Sequence, residues 1–170
     1  MTPPNVPKLG ALLRPLPLLP LQIVVDALAR GIARRRPAIF TRLGPHAGRV
    51  LVVDPRELPF CFVLDTAPRR PGCRVRRASP PDAAAVISGP LLALVALARG
   101  RLDADALFFS REIDVAGDME AALALRNALD DAEVDVLREA AALAGPFAPA
   151  LASLLDAADR RQPTAEREAF

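Results

Sequence analysis

The feature that most constrains the fold is a set of short segments with strand character between residues 49 and 88. They occupy residues 49–53, 59–64, 73–77 and 83–88, and Asp54-Pro55 and Gly89-Pro90 follow the first and the fourth as stops. A fifth segment of the same kind spans residues 112–116. Helical periodicity precedes and follows the set, so the sequence predicts an α/β fold in which helices cover a five-stranded sheet.

The alternation within these segments predicts which side chains share a face. Residues 59–64 place Phe60, Phe62 and Leu64 on one side and Cys61 and Val63 on the other. Residues 73–77 direct two arginines outward, which is typical of an exposed or edge strand. In the fifth segment, Ile113 and Val115 share one face, and Cys61 is predicted to be a small buried side chain.

An amphipathic helix is predicted ahead of the strands. Apolar residues recur from Leu21 to Ile32 with helical spacing, and the pattern ends in Arg34, Arg35 and Arg36, which suit the negative pole of the helix dipole. Pro37 interrupts the pattern, a short second helical piece is predicted through Phe40, and residues 44–48 form a turn.

Three further helices are predicted after the strands. Residues 91–99 are apolar nearly all round, so this helix is either buried on several sides or faces a ligand cavity. Asp118 is a good N-cap for the next helix, in which Ala122, Leu123, Leu125 and Leu129 form an apolar stripe. The pattern continues through residues 134–141, and a last helix spans residues 151–158.

The N-terminal region is apolar but interrupted. Residues 9–28 include Ala27 and Ala29 at a small-x-small spacing, yet Arg14, Asp26 and three prolines argue against a signal peptide or a spanning helix. We predict a peripheral or core-packing segment. The expected organisation is a Pro-rich arm (1–20), a basic helical segment (21–48), a domain (49–160) and a disordered tail (161–170).

Charge is unevenly distributed along the chain. The net charge is +7 over residues 1–49, +4 over residues 50–102 and −9 over residues 103–170. A basic front beside apolar sequence suits an anionic membrane surface, and a solvated helix face explains it equally well. We predict that Arg34, Arg35 and Arg36 face the membrane.

The residues needed for catalysis or for metal binding are sparse. Two cysteines and one histidine provide neither a metal cluster nor a Ser-His-Asp set, and no glycine-rich phosphate motif occurs. His46, in a Gly/Pro turn, is predicted to be a solvated loop residue. The arginines of residues 69–77 lack interleaved aromatics, so we predict no nucleic-acid partner. We also predict no cofactor and no metal, and the two cysteines fit a reducing cytoplasm.

One region resembles a known family. Residues 103–131 combine Leu107, Phe108 and Phe109 with a short strand, a Gly117-Asp118 turn and a helix that carries Arg126 and Asn127. This order resembles the closing segment of the sterol-carrier-protein-2 (SCP2) lipid-binding domains, in particular those that serve oxygen-independent ubiquinone biosynthesis. The loop of residues 66–72, rich in arginine and proline, departs from the family pattern.

The resemblance implies a mainly antiparallel five-stranded sheet covered by helices around an apolar cavity. It implies an isoprenoid-tailed ubiquinone precursor as ligand, no catalysis, and two iron–sulfur, peptidase-like proteins as partners. Ten apolar residues are candidates for the lining of the lipid cavity, and each of them could instead belong to the solid core. They are Phe60, Phe62, Leu94, Leu97, Phe108, Phe109, Ile113, Val115, Leu123 and Leu129.

Two alternatives from other classes remain open. One is a scaffold that presents its basic front to a membrane or to partner proteins without binding a small molecule. The other is a hydrolase or transferase with an unrecognised site, for which the single histidine, His46, is the discriminating residue.

Overall fold

The computed structural model describes residues 18–98 and 112–131, together with positions 149 and 153. The helices are α1 (Leu18–Arg35), α2 (Ala38–Leu43), α3 (Leu91–Ala98) and α4 (Met119–Asp131), and a 3-10 turn occupies Gly44–His46. The strands are β1 (Val50–Pro55), β2 (Cys61–Asp65), β3 (Gly72–Arg76), β4 (Ala85–Gly89) and β5 (Asp114–Gly117).

The five strands form one sheet in the order β3-β2-β1-β4-β5. Only the β1–β4 pair is parallel, and the other three pairs are antiparallel. The predicted fold class, a mainly antiparallel five-stranded sheet with helices, is therefore confirmed.

The strand register divides the sheet into two faces, because residues paired across strands direct their side chains to the same side. One face, here the helix-covered face, carries Leu51, Val53, Phe62, Leu64, Cys73, Val75, Ala85, Ile87 and Val115. The other, here the second face, carries Val50, Val52, Asp54, Cys61, Val63, Arg74, Arg76, Val86, Ser88 and Asp114.

The main core lies between the helix-covered face and two helices. Leu51, Ala85 and Ile87 pack with Leu94 of α3 and with Ala121 of α4 in one buried cluster. Alanines at the contact points allow the helix backbone to approach the sheet closely, and Ala85 and Ala121 are both fully buried. This packing is tight enough to fix where α3 and α4 lie.

The segments between core elements are fixed by specific polar contacts. The Glu57 carboxylate accepts a 2.8 Å hydrogen bond from the Leu91 N–H at the start of α3. Asp118 caps α4 by accepting a 3.0 Å bond from the Ala121 N–H, as the sequence predicts. Just before this cap, Gly117 has a φ of 87° and lies so close to Ala84 that a Cβ would strike the Ala84 carbonyl oxygen.

A second cluster joins the helices to one another. Leu28 and Ile32 of α1 pack with Ile39 and Leu43 of α2 and with Ala128 of α4. At the edge of this cluster, an ion pair between Arg42 and Asp131 ties α2 to the C-terminal end of α4. The acidic end of α4, unfavourable for its helix dipole, is thereby partly neutralised.

Helix α1 covers the outer edge of β3 with side-chain hydrogen bonds. The Gln22 amide donates to the Cys73 carbonyl at 2.8 Å and accepts from the Val75 N–H at 2.7 Å. The Asp26 carboxylate accepts from the Cys73 N–H at 3.4 Å. Arg74 and Arg76 are exposed, as the sequence predicts, but the backbone edge of β3 is satisfied by α1 and is not left open.

Helix α1 already includes Leu18, the first described residue, and so extends further towards the N-terminus than the periodicity from Leu21 predicts. Within the described residues, no helix is both long enough and apolar enough to cross a bilayer. Several predicted segments lie outside the described residues. They are nearly all of the arm (1–20), the helix at 134–141, nearly all of the helix at 151–158, and the tail (161–170).

Candidate functional site

Four of the predicted lining residues lie together on the helix-covered face. Leu94 and Ile113 are buried in the main core cluster, and Leu97 and Val115 pack against it. The structure therefore brings these four side chains into one apolar layer between the sheet and α3. Whether they contact a ligand remains a prediction.

Two predicted lining residues on α4 lie elsewhere. Leu129 packs against the cluster formed by α1 and α2, away from the main core. Leu123 is 47% exposed, so the apolar stripe predicted for this helix is wrong at that position. The helix buries Ala121, Ala122 and Ala128 instead, because small side chains let it approach the sheet and α2.

The two predicted phenylalanines at β2 form an aromatic pair. The ring centroids of Phe60 and Phe62 are 5.8 Å apart and the ring planes meet at 89°, an edge-to-face arrangement. Phe60 is buried, whereas Phe62 is half-buried on the helix-covered face. The other predicted aromatic pair, Phe108 and Phe109, lies outside the described residues.

An open cavity of about 540 Å³ lies beside Phe60, where β1 ends, β2 begins and the chain leaves β3. Its lining includes Asp54, Phe60, Cys61, Arg77 and Ser79. A carboxylate, a guanidinium, a hydroxyl and an aromatic ring thus border one space. The arrangement suits a small polar or aromatic group that offers both a hydrogen-bond donor and an acceptor.

The sequence predicted that Cys61 and Val63 share a face and that Cys61 is buried, but it did not predict the apolar layer that they form on the second face. Val52, Cys61 and Val63 are buried in one cluster, and Val50, Ala83 and Val86 pack against it. Cys61 belongs both to this layer and to the cavity lining. The alternation of β2 contains the signal, because it separates Cys61 and Val63 from Phe62.

Each face of the sheet carries one of the two cysteines. Burial raises the pKa of Cys73, on the helix-covered face, to about 12, and the Asp26 carboxylate contributes to the increase. Burial also raises the pKa of Cys61, on the second face, with a further contribution from Asp54. Both cysteines are free and buried, as predicted for Cys61.

The prediction that His46 is a solvated loop residue is wrong. Its side chain is only 17% exposed, and its Nδ1 atom lies 3.6 Å from Oδ2 of Asp118. Arg49 lies 3.8 Å from the same carboxylate oxygen. Because Asp118 also caps α4, these contacts hold the 3-10 turn against the start of that helix.

The hydroxyl of Thr66, near His46, makes a structural hydrogen bond. Thr66 is buried and donates a 2.8 Å hydrogen bond to the Arg49 carbonyl. Over residues 18–98 and 112–131, no group of three or more His, Cys, Asp or Glu side chains is placed to hold a metal ion. The His46 Nδ1 atom is buried and has no hydrogen-bond partner among the described residues, since its 3.6 Å distance from the Asp118 carboxylate exceeds that of a hydrogen bond.

The predicted membrane-facing arginines, Arg34, Arg35 and Arg36, are all exposed at the end of α1. The same helix exposes two large apolar side chains near its start, Leu19 at 73% and Ile23 at 69%. Leu19, Ile23, Arg30 and Arg34 follow one outer stripe of the helix, because their successive spacings of four, seven and four residues correspond to about one, two and one helical turns. The outer side of α1 thus changes from apolar to basic along its length.

Comparisons with known proteins identify the family. A model of the SCP-2 sterol transfer family matches residues 30–130. A solved structure described as UbiJ-SCP2 ubiquinone synthesis protein is 26% identical, with a TM-score of 0.57 over 71% of this chain and 98% of that chain. No curated protein matches the chain.

A second solved structure agrees in fold. A conserved protein from Thermus thermophilus, described as possibly a sterol carrier protein, is 19% identical, with a TM-score of 0.51 over 70% of this chain and 87% of that chain. At this identity the likeness concerns the fold alone. The family match extends from the last turns of α1 to residue 130, within α4, and includes the whole sheet. The chain belongs to the SCP-2 sterol transfer family.

Proposed function

We propose that this protein binds isoprenoid-tailed ubiquinone precursors in an apolar site and presents their rings for oxygen-independent ubiquinone biosynthesis. The observation that carries the proposal is the likeness to the UbiJ-SCP2 ubiquinone synthesis protein, 26% identical and matched over 98% of its length. The restriction to the oxygen-independent branch rests on the motif at residues 103–131, part of which lies outside the described residues.

A physical argument supports a carrier. Each methylene of an isoprenoid tail costs about 0.8 kcal/mol when it is exposed to water, so ring chemistry outside a bilayer requires a protein cover for the tail. The domain offers two apolar layers for this purpose, one on each face of the sheet. The predicted lining on the helix-covered face remains one proposal for where the tail lies.

We propose that the protein acts without catalysis of its own and hands the ring to partner enzymes. The resemblance points to two iron–sulfur, peptidase-like hydroxylation proteins as these partners. The position of Thr66 supports this proposal, because its hydroxyl donates a hydrogen bond to a backbone carbonyl. The His46→Ala variant should therefore retain its lipid, whereas a hydrolase or transferase that used this histidine would lose its activity.

The direct test is lipid analysis of the purified protein. Protein isolated from cells grown without oxygen should yield a stoichiometric isoprenoid phenol or quinone by extraction and mass spectrometry. Membrane phospholipid alone, or no lipid, would contradict the proposal. The matched sample is the same protein from aerobic cells, which should carry less of this ligand.

A genetic test addresses the pathway. Deletion of the gene should deplete ubiquinone in anaerobic culture and leave the aerobic level nearly normal, since only the anaerobic route depends on this carrier. The measurement is the ubiquinone content of extracted lipids, with plasmid complementation as the control. Equal depletion in both cultures would indicate a general membrane role.

We also propose that α1 makes peripheral contact with an anionic membrane. Its outer stripe combines Leu19 and Ile23 with Arg30 and Arg34, and Arg35 and Arg36 are also exposed at this end of the helix. Each arginine near such a surface contributes about 1 kcal/mol, and salt screens this contribution. Binding to anionic vesicles should therefore weaken as the salt concentration rises.

Charge reversal separates this contact from a general effect of net charge. Replacing Arg34, Arg35 and Arg36 with glutamate should reduce vesicle binding in a sedimentation assay. The matched control replaces three other exposed arginines, Arg69, Arg70 and Arg74. Equal loss in both triple variants, or binding that does not respond to salt, would contradict docking through α1.

The exposed outer stripe of α1 also favours a second candidate, a scaffold without a small-molecule ligand. Leu19 and Ile23 are unusually exposed for large apolar residues, as expected of a surface that another molecule covers. The lipid analysis distinguishes the two functions. A scaffold should carry nothing stoichiometric, whereas a carrier should carry its ligand through purification.

A further inference from the structure

We propose that the hairpin formed by β2 and β3 is a docking surface for an acidic, extended segment of a partner protein, which lies along a row of exposed arginines. This row, here the hairpin arginines, consists of Arg69, Arg70, Arg74 and Arg76. The inference goes beyond the proposed function, because it does not depend on which ligand the domain carries.

Two of the hairpin arginines are fixed in direction by the strand register. Arg74 and Arg76 pair with buried second-face residues of β2, so both side chains leave the sheet on that face. They are two residues apart on one strand, so their Cα atoms are about 7 Å apart. An extended peptide directs every second side chain to one side with the same spacing. Carboxylates at alternating positions can therefore meet both guanidinium groups.

The other two hairpin arginines lie in a restrained turn. The Arg70 N–H donates a 3.1 Å hydrogen bond to the Ala67 carbonyl and closes a β-turn that has Pro68 at its second position. Pro71 follows directly, so Arg69 and Arg70 are enclosed by two residues whose φ angles are fixed. The backbone of this turn therefore loses little conformational freedom when a partner binds, which favours a specific contact.

Positive charge dominates the hairpin. Residues 66–79 contain five arginines and no acidic residue. Asp65, at the end of β2, lies 3.7 Å from Arg74, and its carboxylate also accepts a 3.0 Å hydrogen bond from the Ala67 N–H at the turn. This acidic side chain is thus partly occupied by the turn itself. The excess of positive charge attracts carboxylates from outside the domain.

The surroundings of the hairpin arginines favour a protein over a membrane or a nucleic acid. A peripheral membrane segment inserts apolar side chains beside its charges. None of the large apolar side chains exposed in the described residues belongs to the hairpin, since they are Leu19, Ile23, Met119 and Leu123. Single-stranded nucleic acid stacks its bases on exposed aromatic rings, whereas the half-buried Phe62 lies on the face opposite to these arginines. Charge without apolar or aromatic neighbours suits a peptide rich in carboxylates.

Peptide binding to the full-length protein tests this surface. The probe is a fluorescein-labelled peptide of about ten residues in which glutamate alternates with serine, long enough to follow β3 and the turn. The reference peptide has glutamine in place of glutamate. Fluorescence anisotropy should show saturable binding of the glutamate peptide that weakens as the salt concentration rises. The glutamine peptide should bind at least about tenfold more weakly, because it forms no charge pairs.

Substitution of the arginines locates the binding site. Replacing Arg69, Arg70 and Arg76 with glutamine should weaken binding of the glutamate peptide about tenfold, because three charge pairs are lost. The matched control replaces the three arginines of residues 34–36 with glutamine, makes the same change of net charge and should weaken binding less than about twofold. All six positions are exposed, so circular dichroism melts of both variants should match that of the unmodified protein.

Other outcomes would overturn the inference. Equal loss in the two triple variants would mean that the peptide responds only to net charge. Equal affinity for a peptide that has the same glutamates in one block would mean that the segment does not align with β3. If the hairpin variant loses binding to anionic vesicles but keeps binding to the peptide, these arginines contact the membrane. Tighter binding of a single-stranded oligonucleotide of equal charge would assign them to a nucleic acid.

Failure of this inference is distinguishable from failure of the proposed function. If anaerobic cells yield protein loaded with an isoprenoid ring lipid, but the hairpin variant binds the glutamate peptide normally, the carrier function stands and the docking surface is wrong. If the hairpin variant alone loses the peptide and no such lipid is found, the docking surface stands and the carrier function is wrong.

Discussion

The two faces of the sheet carry similar apolar side chains but have different surroundings. On the helix-covered face, Leu51, Ala85 and Ile87 meet helices whose contacting residues include Ala93, Ala121 and Ala122. On the second face, the apolar layer of Val52, Cys61 and Val63 is flanked by charged residues of the same strands, among them Asp54 and Arg76.

Both layers are buried, with Val52 and Leu51 at 0% exposure, so the difference lies in the charged side chains beside the second-face layer. Small residues at helix–sheet contacts leave little free volume, so a change on the helix-covered face is resisted by the whole domain. Charges beside an apolar layer instead provide a boundary where an amphiphile can place its polar end. We therefore expect substitutions in either apolar layer mainly to change stability, and substitution of the flanking Asp54 mainly to change local electrostatics.

The largest expected effect is that of a charge in the helix-covered layer. Leu94 is only 6% exposed, so Leu94→Glu should lower the free energy of unfolding by about 5 kcal/mol, enough to unfold a small domain. Circular dichroism during urea titration measures this change. The matched control, Leu123→Glu, places the same charge at a 47% exposed position and should be nearly neutral.

One outcome would reverse the assignment of the two faces. If Leu94→Glu is folded, melts close to the unmodified protein and has lost its lipid, then Leu94 lines a hydrated cavity. The ligand would in that case lie on the helix-covered face, where the sequence predicts it.

The next largest effect is a loss of stability in alkaline solution through Cys73. Its pKa is raised from 9.0 to about 12, so the folded state holds the thiol proton more tightly than the unfolded state does. This contribution is fully present below pH 9 and is lost as the pH rises towards 12, by up to about 4 kcal/mol. Urea titrations across this range measure it.

The composition of the chain limits other contributions to the change of stability at alkaline pH. There is no tyrosine, and Lys8 is the single lysine, so few other groups titrate in the same range. Cys73→Ala should remove most of the pH dependence, while Cys61→Ala should remove less, because Cys61 lies at the edge of a cavity. An unchanged pH profile in Cys73→Ala would show that this thiol is not buried as described.

The fold was predictable because its signals are local. The alternation in β2 separates Phe62 from Cys61 and Val63, and the register confirms that they lie on opposite faces. Asp118 caps α4 as its position before an apolar pattern predicts. Because proline and glycine residues separate the strands, the predicted strand ends differ from the observed ones by only a few residues.

The site was less predictable because it depends on partners distant in sequence. His46 resembles a solvated turn residue until the fold brings it to Asp118. Gln22 has no local feature that indicates two hydrogen bonds to β3. Leu123 fits an apolar stripe on α4, but the close approach of that helix favours its alanines, and Leu123 is left outside.

A smaller effect is expected where α1 closes the edge of β3. Gln22→Ala removes two hydrogen bonds, of 2.8 Å and 2.7 Å, and leaves Val75 N–H and Cys73 carbonyl groups without this partner. The free energy of unfolding should fall by about 2 kcal/mol. Gln22→Glu keeps the acceptor for Val75, so its stability should lie between those of Gln22→Ala and the unmodified protein, as measured by urea titration.

The hydrogen bonds of Gln22 to β3 should also affect aggregation. An unprotected strand edge invites pairing between molecules, so Gln22→Ala should also aggregate at a lower protein concentration, detected by light scattering. The neighbouring exposed substitution Ile23→Ala removes apolar surface without touching β3 and serves as the control. If Gln22→Ala matches the unmodified protein in both measurements, the side-chain contacts of α1 do not protect the edge.

The smallest expected effect concerns the second face alone. Asp54 contributes to the raised pKa of Cys61, after burial, so Asp54→Asn should lower that pKa and increase the thiolate fraction at a fixed pH below it. Iodoacetamide should then label Cys61 faster in the ligand-free variant, while Cys73 and the melting temperature remain unchanged. Asp65→Asn, with the same change of charge, should leave both thiols unaffected. A Cys61 that does not respond to Asp54 would mean that the carboxylate and the thiol do not share one cavity.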